Sequence, residues 1–488
     1  MKHSSFTTIS TLFFLLFALS ITTHAQDAAE SASAQDPFSR LSVIPRGLGV
    51  NIYSGGDDGI NHGDTEFEIN SVGATTDFRW IRVDFHWKGT PRTFVNQDHR
   101  YPVYTFKYYD DLLRTLTLQN LRPIFILDDV DPDYDQDKNA TPNCFKENGK
   151  LNCDDQVQFA RFVGQAVSHF KGKGIVWEMY NEPNLPDFWK PQPGATVNQT
   201  TLDYTRLAIR VGKKIRAIAP NEIYVGPATS NIEKSGLDFL ELCFKQGLLD
   251  YWTAISVHPY RKNDNPETVL DSKRLGDYMQ LRALIAKYAH NKHVPIISSE
   301  WGYSSYWPQT SMDDFKQAKY LVRSWLVNLA SDIKISIWYK WHSSCEDSLI
   351  FHHYRRLDGP PCPDEDHKIE SGYGIRHPDY GPKSASDAAS QLITQLKGYH
   401  ADLLSKELAE NPAHGRQTNF AIRFLKGNDY KVAAWTTSST PRQVLIFLEP
   451  GKYVATGFFG ENLGTRTAGR NGLKITLTDA PLYLTTLK

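Results

Sequence analysis

Apolar, β-prone runs recur eight times in the first 345 residues, over 47–53, 80–86, 123–128, 176–181, 223–227, 254–258, 295–300 and 335–341. Between several of them the apolar positions change to helical spacing, over 108–118, 157–170, 204–218, 275–288 and 315–329. A continuous apolar run followed by a stretch of period 3.6 marks a βα unit, because a strand buried on both faces needs a helix to cover it. Eight such units over roughly 350 residues predict a closed (β/α)8 TIM barrel rather than an open doubly wound sheet. From about residue 404 the pattern changes to short alternating runs, 419–425, 430–436, 443–448, 453–457 and 473–477, with Gly, Asn and Pro between them. These predict a small C-terminal antiparallel β-sandwich domain, with residues 39–45 adding a strand to it. The expected organisation is a barrel domain over 39–403 and a β-sandwich over 404–488.

The N-terminus reads differently. Lys2 and His3 precede an apolar stretch from Leu12 to Ile21, and Thr23-His24-Ala25 closes it with small residues at the positions a signal peptidase reads. Residues 1–25 are therefore expected to be a cleaved signal peptide, and 26–38, without large apolar side chains, a disordered leader. The stretch is too short to span a bilayer, and no later one is longer, so the mature chain is expected outside the cell, or periplasmic or wall-associated in a bacterium.

Charge and cysteines narrow the chemistry. Lys+Arg number 54 against 55 Asp+Glu, so the formal net charge of −1 provides no field to steer nucleic acid or an anionic membrane. Export permits disulfides: Cys144 with Cys153 and Cys345 with Cys362 flank short polar loops and are expected to pair, while Cys243 sits in an apolar helical pattern as a buried thiol. No cysteine spacing fits a zinc site, and no Gly-rich phosphate loop follows a strand; Gly55-Gly56 runs into Asp57-Asp58, which would repel phosphate. The acidic run 128–133 matches no calcium-loop spacing and reads as solvated loop. Neither a metal nor an organic cofactor is expected. Asn139 and Asn198 begin glycosylation sequons.

Two glutamates close apolar runs: Glu182, in Val176-Trp-Glu-Met-Tyr-Asn-Glu-Pro183, and Glu300, in Val294-Pro-Ile-Ile-Ser-Ser-Glu-Trp301. At the ends of barrel strands, side chains open into a cleft. Other strand ends add Arg82, Asn181, His258 and Tyr260, and an aromatic, Trp341 or Trp338. Arg82 can keep one carboxylate ionised while the other stays protonated, which is the inventory a retaining glycosidase requires, with an aromatic wall to stack the sugar. Asp84 and Asp128 are further candidates for sugar hydroxyls, and Trp87, Trp189, Trp301 and Trp307 for the cleft lining.

Asn181-Glu-Pro183 after a strand, His258-Pro-Tyr260 after another and Glu300 ending a third resemble glycoside hydrolase clan A, the retaining (β/α)8 hydrolases. The extension Asn181 to Trp189 is similar to family 39, and Ser299-Glu-Trp-Gly-Tyr303 to cellulase-type family 5. The resemblance implies that Glu182 is the general acid/base and Glu300 the nucleophile. It further implies that Asn181 binds the sugar 2-hydroxyl, that Arg82 and Tyr260 hold Glu300, and that His258 joins the network. The carboxyl groups should then lie ~5 Å apart, with the pKa of Glu300 lowered and that of Glu182 raised. The expected substrate is a β-linked oligo- or polysaccharide. Two other readings stay open: a non-catalytic carbohydrate-binding protein on the same barrel, and a transglycosidase.

Overall fold

Strand-forming runs that are buried on both faces have one economical arrangement, a closed parallel sheet wrapped in helices, and the computed structural model adopts it. The barrel strands are β1 (Leu48–Asn51), β2 (Trp80–His86), β3 (Arg122–Asp128), β4 (Val176–Met179), β5 (Ile223–Thr229), β6 (Ala254–Val257), β7 (Ile296–Trp301) and β8 (Ser336–Trp338). Each pairs in parallel with its sequence neighbours, and β8 returns to β1 with Ile337 opposite Gly49. Each expected apolar run carries one of these strands. The structure describes residues 37–52, 62–94, 102–129, 141–147, 150–261, 264–270, 276–307, 312–345, 362–403, 408–409 and 417–487. The expected signal peptide, the leader up to residue 36 and Asn139 lie outside them.

The outer helices include α1 (His62–Thr75), α2 (Lys107–Leu118), α3 (Asp154–Phe170), α4 (Val197–Ile218), α5 (Lys234–Lys245), α6 (Asp277–Tyr288), α7 (Asp314–Ala330) and, after a short helix at Glu365–Ser371, α8 (Ser384–Leu396). In α3, Phe159, Phe162, Val163, Ala166, Val167 and Phe170 are all buried, the i, i+3, i+4 stripe that sequence spacing predicts. Helix α4 starts seven residues before its apolar spacing does. Thr196 and Gln199 form a reciprocal capping box that satisfies the first backbone N–H groups without hydrophobic help. Helix α1 carries only a thin buried stripe of Ile69 and Val72 and leaves Phe67 exposed, so its spacing is faint in the sequence.

The C-terminal segment forms an antiparallel sheet from β9 (His400–Ala401), β10 (Asn419–Lys426), β11 (Asp429–Thr436), β13 (Gly451–Thr456), β14 (Asn462–Ala468) and β16 (Leu482–Thr486). A second pair, β12 (Arg442–Ile446) with β15 (Leu473–Leu477), lies over it. Strand alternation buries both faces. Ala421, Val432, Ala434, Leu482 and Leu484 form a core with β12 and β15, and Phe420, Phe424, Ala433, Trp435 and Tyr483 join the barrel's core. Residues 39–45 do not add the expected strand. They form turns, and the edge place beside β10 belongs to β9.

The seam between sheet and barrel is a polar anchor in an apolar bed. Trp435 donates its indole N–H to Glu267 Oε1 at 2.6 Å, and Arg323 of α7 clamps both oxygens of Glu267 at 2.7 and 2.6 Å. Trp435 also stacks on Phe420 at 5.3 Å. Trp435→Ala is therefore expected to cost ~3–5 kcal/mol, read as a lower urea midpoint; an unchanged midpoint would mean that the sheet docks without this anchor. Both expected disulfides are present, Cys144–Cys153 and Cys345–Cys362, and Cys243 is a buried free thiol against Thr205.

Candidate active site

Arg82 organises the barrel mouth. It comes from the middle of β2, is almost completely buried, and spends its donors on four side chains. Nε donates to Glu178 at 2.7 Å, Nη1 to Asn51 at 3.1 Å and to Glu300 at 2.8 Å, and Nη2 to Asn181 at 2.8 Å. A guanidinium is the one side chain with enough fixed donors to tie four strands together in this way. Burying it is tolerable only because carboxylates answer its charge.

Glu300 lies near the end of β7, and its two oxygens are held separately: Oε2 by Arg82 and Oε1 by the Tyr260 hydroxyl at 2.6 Å. Glu182 does not end a strand. β4 stops at Met179, and the chain continues with Tyr180 at φ 66° and Glu182 at φ 42°. Left-handed backbone at non-glycine residues costs ~1–3 kcal/mol each. It is held in place by backbone bonds from Tyr180 N–H to Leu127 and from Glu182 N–H to Ala228, both 3.1 Å. The twist aims the Glu182 carboxyl at His258, whose Nδ1 lies 2.8 Å from Oε1. One oxygen of Glu182, one of Glu300 and a ring nitrogen of His258 all lie within 4.8 Å of one another.

The electrostatics separate the two carboxyl groups, though not as the sequence suggests. Burial pushes Glu182 up to about 7, with Arg82 only partly opposing it. Glu300 was expected below its ordinary value and is raised instead: burial outweighs the pull of His258, Arg82 and the Tyr260 hydrogen bond, and the neighbouring Glu182 adds to the rise. Burial also lowers His258 to about 4. At neutral pH the ring is therefore uncharged, its contact with Glu182 is a hydrogen bond rather than an ion pair, and the fixed cation acting on Glu300 is Arg82.

These groups open into a cavity of about 900 Å³. One wall is aromatic, with Trp307, Tyr339 and Tyr373 beside Tyr260, and Phe188 lies at another edge. Trp338 and Trp341 are not part of it, which corrects the expected sugar platform. Both are fully buried: Trp338 bonds through its indole N–H to the Tyr373 carbonyl, and Trp341 packs on Phe78 with Arg376 over its ring. The strand pleat turns them away from the mouth. Trp87, Trp189 and Trp301 are also buried and outside the lining. Glu178, Asn51, Tyr339, Tyr373 and Glu370 were missed. Glu178 stands in the same apolar run as Glu182, and even spacing between the two was the available signal; Glu370, in the short helix Glu365–Ser371, and Tyr373, just after it, stand in a segment too short and polar to carry a periodic signal.

Across the cavity, Asp84, Asp128 and Asp129 surround His86, whose Nδ1 is 2.5 Å from Asp129. His86, Asp128 and Asp129 bring one possible ligand atom each within 4.8 Å of one another. Despite its burial, the bond to Asp129 and the neighbouring Asp84 and Asp128 raise His86 to about 9, so at neutral pH the imidazole is protonated and donates to Asp129.

Residues 60–353, more than half of the chain, match the sequence model for glycosyl hydrolases family 39. The chain belongs to that family. It is accordingly a glycosidase, with a carbohydrate substrate. Three solved structures share the fold. A family 39 glycoside hydrolase from the gut symbiont Bacteroides cellulosilyticus WH2 superposes with a TM-score of 0.65 at 17% identity, over 92% of this chain and 82% of that one. The family 39 enzyme from Xanthomonas axonopodis pv. citri gives 0.54 at 16%, over 91% and 95%. A family 30 endoxylanase from Clostridium papyrosolvens C71 gives 0.52 at 11%, over 91% and 96%. A comparison with curated proteins finds no match.

Proposed function

We propose that the protein is a secreted retaining glycosidase that cleaves a β-linked oligo- or polysaccharide by double displacement. The observation that carries this reading is the approach of Glu182 and Glu300 to within 4.8 Å, oxygen to oxygen, with unlike partners. An approach this close suits direct attack by a carboxylate, the arrangement of a retaining pair. Glu300, fixed by Arg82 and Tyr260, attacks the anomeric carbon. Glu182, half protonated at about pH 7, gives its proton to the departing oxygen, then takes one from the water that frees the sugar. Asn181, held by Arg82, stands beside Glu182 for the sugar 2-hydroxyl, and the aromatic wall offers ring faces to the sugar. Two disulfides favour an oxidising compartment, and among the described residues no helix is long and apolar enough to cross a membrane.

The test is covalent trapping. Incubation with 2,4-dinitrophenyl 2-deoxy-2-fluoro-β-xyloside or -β-glucoside should give a mass increase of one fluorosugar, located on the peptide containing Glu300. Turnover of β-glycosides with inversion at the anomeric carbon would overturn the retaining mechanism. Transfer to added sugar acceptors in place of water would move the assignment to a transglycosidase.

A further inference from the structure

Two carboxylates share Arg82, and only one of them reaches the cavity. Glu300 lines the mouth; Glu178, on β4, has no exposed surface at all. Glu178 Oε2 takes the Arg82 Nε–H at 2.7 Å, and its Oε1 has no hydrogen-bond partner among the described residues. A second buried carboxylate with an unanswered oxygen is a costly way to hold an arginine already bonded to Asn51, Asn181 and Glu300.

We propose that Glu178 is a positioning residue that divides the charge of Arg82 and thereby keeps the Glu300 carboxylate reactive toward the anomeric carbon. This rests on the reading of Glu300 as nucleophile. In the free enzyme the buried set Glu178, Arg82 and Glu300 carries one net negative charge. On attack, a Glu300 oxygen forms a bond to the anomeric carbon, the bond to the leaving oxygen breaks, and that oxygen takes the Glu182 proton. The Glu300 charge is consumed, and Glu178 and Arg82 remain as a balanced pair. The negative charge passes to Glu182, which lines the cavity, while the enclosed Glu178 is left paired with Arg82, so Glu178 favours the glycosyl-enzyme. Without its charge the preference reverses: Arg82 and Glu300 balance in the free enzyme, and the intermediate leaves a buried guanidinium unpaired. The other groups facing Glu300 cannot take over this part. Tyr260 and Tyr373 are neutral phenols whose pKa burial raises, His258 is uncharged above about pH 4, and Glu182 is the proton carrier itself.

The test is Glu178→Gln in the full chain, compared with wild type and Glu178→Asp. The amide keeps the shape and an acceptor for Arg82 Nε but removes the charge. Three changes are expected together: kcat/KM on aryl β-glycosides falls ~10-fold or more, its acid limb moves to lower pH, and the fluoroglycosyl-enzyme reactivates faster than wild type. The last change follows because Glu300 then leaves as a better-stabilised carboxylate. Reactivation is read per trapped molecule, so a smaller folded fraction does not affect it. Glu178→Asp, which keeps the charge, should return the acid limb toward its wild-type position. If both steps slow by the same factor with an unmoved acid limb, Glu178 is only structural; if nothing changes, it has no part. A wild-type adduct on a residue other than Glu300 would remove the underlying reading and this one with it.

Discussion

Glu300→Gln is expected to lower kcat by ~10⁴-fold or more while leaving the fold intact. The amide oxygen still accepts from Tyr260 or Arg82, but an amide cannot attack the anomeric carbon, and the fluoroglycoside adduct should vanish with the activity. Circular dichroism and the urea midpoint test the second half of the statement. The substitution removes one carboxylate from around Arg82 and leaves Glu178 to balance it, so no buried charge is orphaned. Substantial turnover by this variant would exclude Glu300 as nucleophile.

Glu182→Gln is expected to reduce kcat/KM by ~10²–10⁴-fold on substrates with poor leaving groups. On 2,4-dinitrophenyl glycosides, whose leaving oxygen needs no proton, the first step should be nearly spared. The variant should also lose the basic limb of the pH profile. In the wild type the acid form of Glu182 is present below about pH 7 and lost as pH rises through that value, so kcat/KM should fall on the alkaline side with a midpoint near 7. Glutamine does not titrate, so the limb should flatten. A basic limb that persists unchanged would assign it to another group. Because a glutamine amide can accept from or donate to the His258 ring, loss of activity is not expected to come with loss of the local backbone geometry.

The barrel was readable because its signal is redundant. Every strand lies in a run of apolar residues, helix-spaced segments stand between several of them, and any one of them could have been misread without changing the architecture. Helices α1 and α8 were less visible for a physical reason. α1 buries few large side chains, and the apolar side chains that α8 buries in its first half are only Ala385, Ala388 and Ala389, with Leu392, Ile393 and Leu396 confined to its second. The C-terminal sheet was readable as strands, but its docking was not: the faces with Trp435 and Phe420 look like any alternating pattern until the sheet meets α7 and Glu267.

At the mouth, residues beside a recognisable motif were legible, while Asn51 and Glu178, inside apolar runs without one, were not. Arg82 lies within β2, Glu300 near the end of β7, and His258 and Tyr260 just after β6, and they converge at the mouth. Trp338 and Trp341 failed because the pleat and the turn after β8 decide which way a ring faces, and a shift of one position exchanges core for cleft. The pKa of Glu300 was misjudged because a sequence reveals the partners of a charge but not the water it has lost.

Taken alone, the chain's pattern determined the eightfold barrel, the trailing antiparallel sheet, both cysteine pairs and the presence of two glutamates near or just beyond strand ends with an arginine to serve them. These depend on local periodicity and residue type, which a sequence carries directly. Tertiary structure alone decided the approach of Glu182 to Glu300, the left-handed twist that aims Glu182 at His258, the aromatic wall of Trp307, Tyr339 and Tyr373, and the concealed third carboxylate, Glu178. Those depend on burial and on distances between strands far apart in the chain, quantities that exist only once the barrel has closed.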